Sequence, residues 1–99
     1  MIYTFVNKPA VTFDIEDIVD FYKSIKPELA IAFLDRVEEA KKYIVDYPVA
    51  FQIKYKNVRT LLLKQFPYHI HYIVDDAKKQ IVVLAVIHAY KNPKDYSNR

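Results

Sequence analysis

The chain has 99 residues, a net charge of +3, 53% hydrophobic and 27% charged residues, which is the composition of one globular domain. It contains no cysteine and no glycine, where average usage would place about seven glycines. Those absences exclude glycine-rich phosphate loops, the dinucleotide turn and the nucleophile elbow, together with disulfides, thiolate metal sites and cysteine nucleophiles.

The charge is uneven along the chain. Residues 1–50 carry 6 Lys+Arg against 9 Asp+Glu, and residues 51–99 carry 9 against 3. A basic second half calls for an acidic partner, nucleic acid or an acidic protein segment; the alternative is an uneven draw of solvated lysines. The longest apolar run, Ile81 to Ile87, falls far short of the roughly 20 residues of a membrane helix. Met1 to Val6 has no signal-peptide pattern. The expectation is a single cytoplasmic domain over residues 1–99, with no membrane partner.

Met1 to Val6 is rich in β-favouring residues and predicts a first strand, at an edge, ended by Asn7 to Pro9. From Asp14 the apolar positions Ile15, Ile18, Val19, Tyr22 and Ile25 recur at helical spacing. Asp14 is placed to cap that helix, and acidic residues in its first turn would complement the helix dipole. Lys26–Pro27 breaks it, since a residue before proline is pushed out of the α region. Pro27 then opens a second helix, whose face of Ala30, Phe33, Leu34, Val37, Ala40, Lys41 and Ile44 runs to about Asp46. The short break predicts an antiparallel helix hairpin.

Val49 to Asn57 has no period and reads as a basic, aromatic loop around Lys54, Tyr55 and Lys56. Three strands follow, Val58–Phe66, Tyr68–Val74 and Gln80–His88, joined by short turns and so forming an antiparallel meander. The last is apolar on both faces, as a strand inside a sheet should be. The predicted class is α+β: an N-terminal strand, a helix hairpin, then a three-stranded antiparallel meander.

The remaining candidates for chemistry are His, Arg, Lys and Tyr, because the carboxylates lie on the solvated helix faces. His69 and His71 share one face of their strand, opposite Ile70 and Val74. His88 ends the last strand beside Tyr90 and Lys91. Histidine moves protons near neutral pH, but no carboxylate stands at ligand spacing beside these three, so no metal or other cofactor is expected. Lys54, Lys56, Arg59, Lys64, Lys91 and Lys94 are interleaved with Tyr55, Tyr68, Tyr72, Tyr90 and Tyr96. Such a mixture suits phosphates and unpaired bases, or an acidic aromatic peptide. Tyr68 and Tyr72 are read as half-buried sheet residues.

Val58-Arg59, Phe66-Pro67-Tyr68-His69-Ile70-His71-Tyr72, Val83-Leu84-Ala85-Val86-Ile87-His88 and Lys91-Asn92-Pro93, taken together, resemble the RelE/ParE superfamily, the toxins of type II toxin–antitoxin modules, also known as plasmid stabilisation proteins. The resemblance implies a growth-inhibiting toxin held by a cognate antitoxin through an acidic and apolar C-terminal segment. It implies one of two targets: DNA gyrase, bound without nuclease chemistry, or the ribosome, where mRNA is cut. In the cutting branch His88, His69, Tyr96 and Arg59 match the positions of the catalytic side chains. Lys54, Lys56, Lys64, Tyr90, Lys91 and Lys94 would contact the target in either branch. Thr60 to Leu63 stands where an active nuclease presents further basic residues, and the FPY turn resembles the ParE side. The reading therefore leans to a gyrase-binding toxin. A ribosome-dependent endoribonuclease and an inactive antitoxin-binding module are the alternatives.

Overall fold

The computed structural model describes residues 3–91. Its elements are β1 (Thr4–Asn7), α1 (Pro9–Ile25), α2 (Pro27–Asp46), β2 (Ile53–Tyr55), β3 (Val58–Leu62), β4 (Tyr68–Asp75) and β5 (Gln80–His88). The sheet runs in the order β1-β5-β4-β3-β2. The α+β class, the edge position of the first strand and the antiparallel β3-β4-β5 meander are as expected. The sheet as a whole is mixed, because β1 pairs parallel with β5.

The helices break at Lys26 alone. Lys26 is extended, with φ −155° and ψ 128°, and its amide still donates to the Tyr22 carbonyl at 2.9 Å. Pro27 fills the first position of α2, where a missing N–H costs nothing. Buried Ala30, Phe33, Val37, Ala40 and Ile44 repeat at three- and four-residue intervals along α2.

Helix α1 starts earlier than its sequence pattern shows. Pro9, not Asp14, opens it, and its first turn holds no acidic residue. Val11 is buried at 2% exposure, so packing extends the helix one turn back. Asp14 serves the sheet instead of the helix end. Its Oδ2 accepts the Val86 amide of β5 at 3.1 Å. Since β1 pairs only with Gln80 to Val83, the carboxylate satisfies an amide that β1 leaves uncovered.

The segment expected as a loop contains β2, which adds antiparallel to β3 with a bulge between Ile53 and Tyr55. β3 stops at Leu62, four residues before the expected end. The chain then turns through Gln65, at φ 75°. Lys56 and Lys79 also have positive φ, 48° and 53°. With no glycine available, side-chain-bearing residues take these left-handed positions, each at about 1–2 kcal/mol.

Cross-strand partners share a face. Leu61, Ile70 and Val86 therefore face the helices, as do Arg59, Tyr72 and Val83. Leu62, His69 and Ile87, and Thr60, His71 and Ala85, face the other way. His71 pairs with Ala85 while Tyr72 pairs with Val83, which leaves Leu84 as an extra residue in β5. The main core lies on the helix side, where Phe33 meets Phe66 and Tyr68 edge-on at 5.6 and 5.8 Å and Tyr22 lies 6.1 Å away. The FPY turn thus supplies two core aromatics. Among the described residues no helix is long and apolar enough to cross a membrane.

Candidate functional site

The candidate residues fall into three groups, set by strand alternation. The first lies on the sheet face turned away from the helices. The Tyr55 hydroxyl and His71 Nδ1 are 3.2 Å apart. The His71 ring stands edge-on to His69 at 6.2 Å. His71 is 2% exposed, and Tyr55 packs over the buried pair Ala85 and Ile87. Partial burial, and after it the positive charge of Lys54, lowers the His69 pKa, so its ring is neutral at pH 7. Nitrogen-lined and cation-flanked, this cluster is suited to accept a proton or to meet an anion.

The second group lies at the end of β5. His88 pairs with Tyr68, on the opposite face from His69. Their rings meet edge-on at 5.2 Å, and the Tyr90 ring lies 5.5 Å from His88, tilted by 44°. The Tyr90 amide donates to His88 Nδ1 at 3.2 Å, which leaves the neutral ring's proton on Nε2. His88 borders a shallow groove with Asp14, Asp17, Tyr68 and Lys91. Tyr90 is 87% exposed.

Arg59 forms a third group with Tyr72. Its Nη1 donates to the carbonyls of Val49 at 3.1 Å and Phe51 at 2.7 Å, and the Tyr72 hydroxyl donates to the Pro48 carbonyl at 3.3 Å. Both side chains fasten the chain between α2 and β2. Burial pushes the Tyr72 phenol up to about 12, despite the opposing effect of Arg59.

Lys64 stands apart from all three, 3.7 Å from the Glu39 carboxylate and 5.7 Å from the Tyr43 ring of α2. Lys56 occupies the tight turn between β2 and β3. Lys94 and Tyr96 lie outside the described residues. The structure thus joins Lys54 to His69, and His88 to Tyr90 and Lys91. It puts those two sets on opposite faces and Arg59 with neither. Tyr55 and His71 are the members that sequence reasoning leaves out of the site. The alternation of His71 with His69 is the available signal, but the hydroxyl contact depends on the pairing of β2, a strand without a period.

Comparison with known proteins fits this architecture. The family model of the ParE toxin of type II toxin–antitoxin systems, parDE, matches residues 7–93. The structure is similar to that of a chromosomal ParDE toxin–antitoxin system from P. aeruginosa, with a TM-score of 0.74, 23% identity, and coverage of 88% of this chain and 96% of that one. It is also similar to a mutant E. coli toxin RelE in complex with an antitoxin RelBc peptide, at TM-score 0.64 and 14% identity, covering 99% and 94% of the two chains. The isolated E. coli RelE toxin superposes with TM-score 0.59 at 13% identity, covering 97% and 93%. No curated protein matches the chain. The match over residues 7–93 leaves little of the sequence outside it, and the chain belongs to the family of ParE toxins of type II toxin–antitoxin systems.

Proposed function

We propose that this ParE-family toxin arrests growth in the cytoplasm by binding DNA gyrase, without cutting RNA, and that a cognate antitoxin holds it inactive through an acidic and apolar segment. The observation that carries binding over cleavage is the engagement of Arg59. Its guanidinium serves two backbone carbonyls on the helix side of the sheet, away from His69 and from the end of β5. Cleavage of RNA needs a base, an acid and positive charge around one phosphate. His69 and His88 on opposite faces do not supply that together. Lys54, Lys56, Lys64, Tyr90, Lys91 and Lys94 are the side chains assigned to the target, because binding a large partner needs breadth more than convergence.

Pulse labelling after induction tests this reading. Thymidine incorporation is expected to fall before amino-acid incorporation. An earlier fall in amino-acid incorporation would replace gyrase with the ribosome, and the Tyr55, His69 and His71 cluster would then be the place to look for a base. Continued growth with neither falling would leave an inactive antitoxin-binding module.

A further inference from the structure

Strand β2 is held by little of its own. It is an edge strand of three residues, none of them buried. Its ladder with β3 has the pairs Ile53 with Arg59 and Tyr55 with Val58, and a bulge lies between them. The turn that follows puts Lys56 at φ 48°, a left-handed position that favours glycine. A strand this short, with no buried face, specifies its register weakly.

The bulge decides where Tyr55 goes. In a regular strand residues two apart share a face, so Tyr55 would follow Ile53. Ile53 pairs with Arg59, which faces the helices, whereas Tyr55 pairs with Val58, the neighbour of Arg59 on the opposite face. The bulge thus turns Tyr55 onto the face that carries His71. There its hydroxyl lies 3.2 Å from His71 Nδ1, and its ring packs on Ala85 and Ile87. A slip of one residue in β2 would carry Tyr55 back to the helix side.

That register is pinned from the other face. Arg59 stands opposite Ile53, and its Nη1 donates to the Val49 and Phe51 carbonyls at 3.1 and 2.7 Å. The Tyr72 hydroxyl donates to the Pro48 carbonyl at 3.3 Å. The Thr60 amide adds a backbone bond to the Gln52 carbonyl at 3.2 Å. Phe51 packs its side chain against the helix-side core. The chain just ahead of β2 is therefore fastened on the helix side, while the last residue of β2 covers a histidine on the other.

We propose that β2 is a strap across the sheet edge, with Arg59 and Tyr72 as its clasp. The clasp fixes the bulged register, and the register lays Tyr55 over His71. Release of the clasp bares His71 in a molecule that is still folded. Arg59 and Tyr72 are positioning residues for a cluster on the face they do not share. The inference holds for either target, since it concerns access to His71 and not what binds there.

The probe is diethyl pyrocarbonate, which acylates accessible imidazoles, with fragment mass spectrometry to read each histidine separately. In the full chain at pH 7, exposed His88 is expected to react fast and buried His71 slowly. Arg59→Met should speed the labelling of His71 at least about tenfold, while slow hydrogen exchange at Ile81 and Val83 shows that the sheet is still folded. Tyr72→Phe, which loses one bond, should give a smaller rise. Tyr55→Ala should bare His71 with the clasp intact. The unaltered protein supplies a test that survives misfolding of any variant. In urea well below the unfolding midpoint, His71 labelling should rise in step with exchange of the Thr60 amide and ahead of Ile81 and Val83. A wild-type labelling rate in Arg59→Met, slow labelling in Tyr55→Ala, or His71 labelling that rises only together with exchange at Ile81 and Val83 would each overturn the proposal.

Discussion

On the helix side of the sheet, Phe33, Ile44, Ile70, Ile81 and Val83 are at most 1% exposed. On the other side Ala85 and Ile87 are nearly as deeply buried, but they lie beneath Tyr55 and next to His69 and His71. Burial on the first side is chiefly packing, with the buried Tyr72 hydroxyl held by the Pro48 carbonyl, and its strength follows mainly the apolar area removed from water. Burial on the second side includes groups that ionise, and its strength depends on pH. One sheet thus carries a structural face and a chemical face. A residue's role follows from the face that alternation gives it, more than from its type. Arg59 and His69 are the example. Both resemble site residues in sequence, one strand apart, yet Arg59 fastens a loop while His69 sits in the polar cluster.

Four measurements can break or sharpen that contrast. Phe33→Ala, on the structural face, is expected to have the largest effect, a loss of about 3–5 kcal/mol in urea unfolding. A loss below about 1 kcal/mol would mean that the helix layer is not the main source of stability. Arg59→Met comes next. It removes two charge-assisted hydrogen bonds to carbonyls and is expected to lower stability by about 2 kcal/mol. Growth arrest should then decline only as far as folding does. Lost arrest at an unchanged unfolding midpoint would make Arg59 a ligand for the target.

The chemical face should respond to pH. The folded pKa of His69 lies below its ordinary value of 6.5, through burial and then Lys54. Acid therefore favours the unfolded chain, which binds the proton more readily. The stabilisation is complete above about pH 6.5 and is lost as pH falls through the lower folded value. The protein is expected to unfold at lower urea at pH 5 than at pH 7, and His69→Gln to narrow that gap. An unchanged gap in the variant would assign the effect to other groups. The smallest change is expected from Gln65→Gly, in a turn outside both faces. Relief of a positive φ, about 1 kcal/mol, is offset by about 0.4–1 kcal/mol of unfolded-chain entropy. A larger loss would show that the Gln65 side chain, which accepts from Arg36 Nε at 3.1 Å, outweighs the backbone.

Where the sequence carries a period, the fold is legible. Helix α2 begins at Pro27 and ends at Asp46 because proline fixes one end and the Tyr47–Pro48 pair the other. The alternation of His69 with Ile70 places the two on opposite faces. Helix α1 reads five residues short because its first turn lacks the usual acidic signal, and its start is set instead by Val11 in the core. The parallel pairing of β1 and the bulge at Leu84 are invisible in the sequence. Both depend on contacts between distant segments, and an unbroken apolar run does not mark which residue is extra. The candidate site is legible as a set of residue types and not as a place. Arg59 offers donors in sequence, but the Val49 and Phe51 carbonyls that accept them come from a loop with no pattern of its own.

The pairing of β1 with β5 has a consequence during synthesis. The amide of Val86 finds its acceptor in Asp14, 72 residues earlier. A nascent chain exposes β1 and both helices long before β5 leaves the exit tunnel, and contacts of such long span form slowly. The apolar helix face must therefore wait for its sheet. The sheet, with the side-chain clusters on its two faces, is complete only once β5 has been translated.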